Sequence, residues 1–172
     1  ISNVTTNDKN TVISSSLSTL PVIINKAAYC NLKSGIPSNS QLISNRAGWI
    51  INVEEGVEGA PNNLIDGKTG TDVALNNKGF WFTVDLGEAK VLTGIKTNHW
   101  ANAYAPREVE ILQSENGTTW KSLSSLAISG GTQNITFISP ITTRYLKYQI
   151  ITISTNGRTD VTEFNVYEPK SE

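Results

Sequence analysis

The chain has 172 residues, 38% of them hydrophobic and 17% charged, which is enough for one domain with a substantial core. Its 14 basic and 15 acidic side chains give a net charge of −1 without a basic stripe, which argues against nucleic acid as a partner. No apolar run approaches the length of a membrane span, and the composition gives no sign of an anionic-membrane footprint.

The first 38 residues differ in character from the rest of the chain. Residues 1–18 are rich in Ser, Thr and Asn with few apolar anchors, which is typical of a linker or of the end of an upstream module. The segment 20–24 could form a short edge strand, and Gly35 and Pro37 predict a loop over 33–40. We therefore expect a linker or module end over 1–38 and one domain over 39–172. Because the chain lacks Met altogether, we expect it to be a segment of a larger protein.

From residue 41 onward the pattern predicts strands and almost no helix. Several segments alternate apolar and polar residues, as expected for half-buried strands, and Asn116-Gly117 between two of them is a strong hairpin signal. At most one helical turn is expected, over 62–65. About eight short strands with intervening turns predict an all-β fold, an antiparallel β-sandwich or jelly roll. The predicted strands are 49–53, 80–86, 91–100, 108–113, 120–126, 134–138, 145–153 and 161–167.

A polar turn over residues 63–71 (hereafter the 63–71 turn) precedes the strand predicted at 80–86. It places the carboxylate of Asp66, Gly67 and the hydroxyl of Thr71 close together in sequence. Carboxylate, hydroxyl and backbone carbonyl oxygens are the hard ligands that Ca²⁺ prefers. The turn is therefore a candidate cation site, although Asp66 could instead only cap the turn.

From about residue 41 to 168 the chain resembles the discoidin family, also called coagulation factor 5/8 type C domains, whose glycan-binding branch is carbohydrate-binding module family 32. The resemblance implies a galactose-binding-domain-like jelly roll. It is carried by segments that occur in the family's order: Ala47-Gly48-Trp49, Asn63-Leu64-Ile65-Asp66-Gly67 with Thr71, Trp81-Phe82-Thr83-Val84-Asp85-Leu86-Gly87, Ser114-Glu115-Asn116-Gly117-Thr118-Thr119-Trp120, Arg144-Tyr145-Leu146-Lys147 and Thr162-Glu163-Phe164-Asn165-Val166-Tyr167.

The resemblance implies a structural calcium site that ties the 63–71 turn to the last strand. Lys68 departs from the family, which often has Asp or Asn there, and Val73 stands where the family usually has Trp. The alternative is that Glu163 is an exposed strand residue. The implied ligands are the carbonyls of Asn63, Lys68 and Thr162, the carboxylates of Asp66 and Glu163, and the carbonyl and hydroxyl of Thr71.

Residues 98–107 (hereafter the 98–107 loop) are the best candidate for contact with a sugar. Sugar-binding proteins stack an aromatic ring on a pyranose and direct polar side chains at its hydroxyls, from loops on a rigid scaffold. The alternative is that Trp100 and Tyr104 plug the end of the sandwich. Trp49, Trp81 and Trp120 are predicted to serve the core. The candidate ligand-binding residues are His99, Trp100, Asn102, Tyr104 and Arg107, with Arg46 and Arg158 as less central candidates.

The sequence and the resemblance together predict a non-catalytic, calcium-stabilised carbohydrate-binding module. It would target a larger secreted, periplasmic or cell-surface protein, such as a bacterial glycosidase, to glycans of galactose or N-acetylhexosamine type. A protein-interaction or spacer module without a sugar site is the alternative, and polar loops argue against membrane binding. An enzyme is disfavoured because His99 is the only histidine and Cys30 has no partner base nearby in sequence. The loop carboxylates also lack a partner base; they are Glu54, Glu55, Glu58 and Asp72.

Overall fold

The computed structural model describes residues 29–171, and within them every paired strand is antiparallel. Over the same residues no helix is long and apolar enough to cross a membrane. The elements are β1 Cys30–Lys33, β2 Ser40–Leu42, β3 Ile50–Val53, a 3₁₀ helix Pro61–Ile65, β4 Val73–Asn76, β5 Trp81–Asn98, β6 Glu108–Ser114, β7 Lys121–Ala127, β8 Thr132–Thr152, β9 Arg158–Val161 and β10 Glu163–Pro169.

The two longest strands, β5 and β8, build both layers of a β-sandwich. The first half of β5 and the second half of β8 pair in one layer, which β3, β6 and β7 complete. The second half of β5 and the first half of β8 pair in the other layer, with β10, β2 and β1. Register shifts in β5 between Asp85 and Lys90 and between Leu92 and Gly94 mark the crossing. At Gly94 a Cβ atom would lie 2.7 Å from the Ile135 carbonyl oxygen, so only glycine fits that approach.

Three aromatic rings join the two layers at the centre of the core. Phe82 and Tyr148 come from the first layer and stack with ring centroids 5.2 Å apart. Phe164 comes from β10 in the second layer and meets Phe82 edge to face at 5.1 Å. All three side chains are essentially inaccessible to solvent. Aromatic pairs in these geometries add specific attraction to the burial of apolar area, so this cluster helps to hold the two layers together.

The predicted all-β sandwich is confirmed, and the strand boundaries differ in an instructive way. Segments predicted as separate strands, 80–86 with 91–100 and 134–138 with 145–153, are continuous strands β5 and β8 that bend at bulges. The strand predicted over 161–167 is divided between β9 and β10. The helical turn predicted over 62–65 is present as the 3₁₀ helix, and β4, which pairs with β9, was not predicted.

The described part of the N-terminal region belongs to the sheet. Strand β1 pairs with β8, and the Tyr29 amide donates to the Leu123 carbonyl oxygen of β7. The sheet therefore begins N-terminal to residue 39, where the sequence places the start of the domain. Cys30 is 1% exposed, and burial raises the pKa of its thiol to about 11, so it packs as a small hydrophobic residue. The predicted linker over 1–18 and the edge strand at 20–24 lie outside the described residues.

The ion pair between Asp85 and Arg144, at the first β5 bulge, should make the stability of the fold depend on pH in the acid range. Arg144 donates to both carboxylate oxygens of Asp85, at 2.8 and 2.9 Å, and holds the pKa of Asp85 below its ordinary value of 3.8. A lowered folded-state pKa stabilises the fold above the unfolded-state pKa, and that contribution is lost as the pH falls through the folded-state value. We expect Asp85→Asn to flatten the fall in the free energy of unfolding below about pH 5, measured by urea unfolding at several pH values. An unchanged pH slope would contradict this role of the pair.

Candidate functional site

The 98–107 loop connects β5 to β6 at one end of the sandwich. Of its first residues, His99 is buried in the domain and Trp100 is exposed to solvent. Ile95, Thr97 and His99 continue the inward face of β5 and are buried. The His99 ring has no exposed side-chain surface; its Nδ1 contacts the Asp160 carbonyl oxygen and its Nε2 lies 3.2 Å from Thr97 Oγ1. The prediction that His99 contacts ligand is corrected: the strand periodicity turns its ring inward, so it supports the loop from within.

Trp100, the next residue, has the opposite environment. It is 60% exposed, the largest exposed fraction among the large hydrophobic side chains in the described part of the chain. Its amide donates to Asp160 Oδ1 at 3.2 Å, which fixes the backbone beneath the ring. The alternative in which Trp100 plugs the end of the sandwich is inconsistent with this exposure. The ring is an apolar surface that faces solvent from a backbone held by Asp160.

Hydrogen bonds from three sides hold the rest of the loop in place. Asn102 Oδ1 accepts from the Gly131 amide, and its carbonyl oxygen accepts from Arg107 Nη2 at 3.0 Å. Arg107 Nη2 also donates to Thr155 Oγ1 at 3.2 Å, and the half-buried Tyr104 accepts the Asp160 amide through its carbonyl oxygen. The loop that carries Trp100, Asn102, Tyr104 and Arg107 is thus held by Gly131, Thr155 and Asp160.

Strand β9 adds a charged network beneath this surface. Asp160 is completely buried, and its Oδ2 makes no hydrogen bond but lies 3.8 Å from Arg158 Nη1. Arg158 donates to Asp72 at 2.8 Å and lies 3.7 Å from Glu58, and these partners raise its pKa further above its ordinary value. Arg158, predicted as a less central ligand contact, therefore borders the loop through Asp160 with its charge already balanced by carboxylates.

A cavity of about 340 Å³ lies elsewhere on the described surface. Residues of the β6–β7 hairpin and of β8 line it, among them Gln113, Asn116 and Lys121. The hairpin follows the end of β6, whereas the 98–107 loop precedes its beginning, so the two lie at opposite ends of that strand.

The second predicted site is assembled in part. The chain brings the 63–71 turn against the last strand, because Glu163 Oε2 accepts the Gly67 amide at 3.0 Å across the domain. Asp66 accepts the Lys68 amide and the Thr71 hydroxyl, each at 2.8 Å. Asn63 uses its side-chain amide to donate to the Asp72 carbonyl oxygen. The predicted link between turn and last strand is therefore present, and the alternative of an exposed Glu163 is excluded by its 4% exposure.

The donor set does not fit a divalent cation as it stands. Arg46 Nη1 lies 2.7 Å from Glu163 Oε1, so the buried carboxylate already has a cationic partner. Over residues 29–171, no group of three or more His, Cys, Asp or Glu side chains is placed to hold a metal ion. Arg46, predicted as a ligand contact, is thereby corrected: it binds the inner face of the 63–71 turn, and none of its hydrogen bonds goes to the 98–107 loop.

The other tryptophans agree with the core prediction to different degrees. Trp49 is 8% exposed and lies under the Arg46 guanidinium, whose carbon is 5.7 Å from the ring centroid. Trp81 and Trp120 are half-buried, and Lys147 Nζ lies 4.8 Å from the Trp81 ring centroid.

Two residues that support these sites were missed in the sequence. Asp160 contacts His99 through its carbonyl oxygen and the Trp100 amide through its carboxylate, and no local pattern in β9 indicated either contact. Asn165 accepts a hydrogen bond from Arg46 Nη2, and no local pattern indicated that contact across 119 positions of sequence.

Sequence and structure comparisons agree with this architecture. The F5/8 type C domain profile matches residues 44–164. Among curated proteins, none matches this sequence.

Three solved structures illustrate the structural similarity. The family 32 carbohydrate-binding module of Clostridium perfringens NanJ, in complex with galactose, is 22% identical, covers 75% of this chain and 99% of its own, and has a TM-score of 0.63. The C. perfringens module CpGH89CBM32-5, in complex with GalNAc-β-1,3-galactose, is 18% identical over 73% and 99% of the two chains, with a TM-score of 0.63. An F5/8 type C domain from Bacteroides fragilis is 19% identical over 78% and 100%, with a TM-score of 0.65. At these identities the similarity concerns the fold.

Proposed function

Because this chain belongs to the F5/8 type C domain family, we propose that it is a non-catalytic carbohydrate-binding module that directs a larger glycan-processing protein to its substrate. The observation that carries the proposal is Trp100, a 60% exposed ring on a loop whose backbone is fixed from both sides. A rigid aromatic surface binds at little cost in conformational entropy, which suits the apolar face of a pyranose.

The roles of the surrounding residues follow from their positions. In this proposal Trp100 stacks on the sugar ring, and the exposed Asn102 and the half-buried Arg107 donate hydrogen bonds to its hydroxyl groups. Tyr104 contributes the rim of the surface. His99 and Asp160 act through the loop, because both are buried beneath it.

The charge balance favours a neutral sugar. Arg158 is compensated by Asp72, Glu58 and Asp160, which leaves Arg107 as the cation of the loop available to ligand. A strongly acidic polysaccharide would require more uncompensated positive charge than this surface offers. We therefore favour sugars of the galactose or N-acetylhexosamine type, in keeping with the galactose and GalNAc-containing ligands of the two C. perfringens modules.

A single shallow site of this kind binds weakly, and its use depends on linkage to another domain. Binding of the module raises the effective concentration of a linked catalytic domain at the glycan surface, which increases action on insoluble or clustered substrate. This role places the parent protein where complex glycans occur: secreted, periplasmic or at a cell surface.

A glycan array probed with the purified chain tests the proposal. We expect binding to galactose- or N-acetylhexosamine-terminated glycans that competes with the free sugar. No binding to any glycan on the array would contradict the proposal and favour the protein-interaction or spacer alternative. Hydrolysis of any arrayed glycoside by the chain alone would contradict the non-catalytic assignment.

A further inference from the structure

We propose that the Arg46 guanidinium is the cation that closes the 63–71 turn onto Glu163, so that this domain folds without calcium. The proposal concerns the stability of the domain and is independent of its ligand. It departs from the calcium site that the family resemblance implies.

Arg46 is placed as a bound cation would be, between the turn and the last strand. Its Nη1 donates to Glu163 Oε1 at 2.7 Å and to the Ile65 carbonyl oxygen at 3.0 Å. Its Nη2 donates to Asn165 Oδ1 on β10, and its Nε lies 3.4 Å from the Ile43 carbonyl oxygen. Side-chain exposure is only 13% for Arg46 and 6% for Glu163. One guanidinium therefore joins the segment after β2, the end of the 3₁₀ helix and β10.

The planar geometry of the guanidinium explains why this residue can replace a metal. A metal ion gathers oxygens from several directions, whereas Arg presents five N–H donors in a fixed fork. Arg46 donates to four oxygen acceptors, which come from three separate segments of the chain. The Trp49 ring, 5.7 Å from the guanidinium carbon, covers the remaining face.

The buried carboxylate of this site already has a cationic partner. Arg46 pairs with Glu163 at 2.7 Å, whereas Asp66 is exposed and accepts the Lys68 amide and the Thr71 hydroxyl. Without Arg46, Glu163 would be a buried carboxylate without a cation, which is the condition in which a divalent ion would bind.

The test measures the melting temperature of the full chain in a calcium chelator, in millimolar CaCl₂ and in millimolar MgCl₂. We expect the wild-type melting temperatures to agree within about 1 °C, because a ligand that does not bind the folded state cannot shift the transition. A wild-type melting temperature that falls in chelator and recovers only with calcium would overturn the proposal.

Variants at Arg46 provide the second half of the test. We expect Arg46→Met to raise the ratio of unfolded to folded protein more than tenfold at a fixed urea concentration, because it leaves a buried carboxylate without its cation, and to be partly rescued by CaCl₂ as Asp66 and Glu163 become available. Lys68→Met, which removes an exposed charge from the same turn, is the matched control and should change stability little. If Arg46→Met does not fold, Arg46→Lys keeps the charge but loses the fork and should be measurably less stable; wild-type stability in Arg46→Lys, or in a folded Arg46→Met, would contradict the proposal.

Discussion

Trp100→Ala is expected to remove most glycan binding and to leave the fold intact. Truncation of the central aromatic contact in a small interface typically costs about 2 kcal/mol or more, which is roughly a thirtyfold increase in Kd. The melting temperature should change little, because the ring is 60% exposed and its removal leaves no cavity. Isothermal titration with the best ligand from the array measures the affinity, and circular dichroism measures the melting temperature.

Tyr29→Ala is the matched control for this loss. Tyr29 is also an exposed aromatic, at 39%, but it lies beside β7 with Lys121 Nζ over its ring, away from the 98–107 loop. The Tyr29→Ala variant should bind the glycan with the affinity of the wild type. Full affinity in Trp100→Ala, or equal losses in the two variants, would refute Trp100 as the stacking residue.

Phe82→Ala is expected to have the largest effect on stability. Phe82 is completely buried and contacts both Tyr148 and Phe164, so its removal opens a cavity between the two layers. Truncations of this type cost about 3–5 kcal/mol, against a total stability of about 5–15 kcal/mol for ordinary domains. Urea unfolding followed by tryptophan fluorescence measures the change in the free energy of unfolding.

Ile50→Ala serves as the comparison within the same layer. Ile50 lies on β3, directly across from β5, but its side chain is 56% exposed. We expect it to change the free energy of unfolding by less than about 0.5 kcal/mol. A cost below about 1 kcal/mol for Phe82→Ala would mean that the aromatic cluster does not hold the layers together.

The all-β class and most strand positions could be predicted because apolar alternation and turn residues are local signals. The continuity of β5 and β8 could not be predicted in the same way. Glu88 and its neighbours at the first bulge are exposed, so the hydrophobic pattern is interrupted although the backbone pairing resumes at Lys90. Strand β4 was missed because its only described strand partner, β9, lies more than eighty residues later in the chain.

The candidate loop was identified by composition, and composition treated His99 and Trp100 alike. Extending the period-two pattern of β5 through Ile95 and Thr97 would have placed His99 inward and Trp100 outward. The position of Asp160 beneath them depends on the pairing of β9 with β4 and on its amide hydrogen bond to the Tyr104 carbonyl oxygen, which no local window contains.

The role of Arg46 lay beyond sequence reasoning for a different reason. Its partner Glu163 is 117 positions away, and both residues carry charges that are usually solvated at the surface. The family resemblance correctly predicted that the 63–71 turn meets Glu163. It implied a calcium ion at this contact, where the structure has the Arg46 guanidinium.

An NMR titration of the isotopically labelled chain with galactose and N-acetylgalactosamine tests the central claim most directly. The chain has four tryptophans, so their indole N–H signals report separately on the candidate surface and on the core. We predict saturable shifts of the Trp100 indole and the Arg107 side chain, with the Trp49 indole unchanged. Saturable shifts confined to the Gln113–Lys121 hairpin cavity, or no shift with any sugar bound on the array, would contradict glycan recognition by the 98–107 loop.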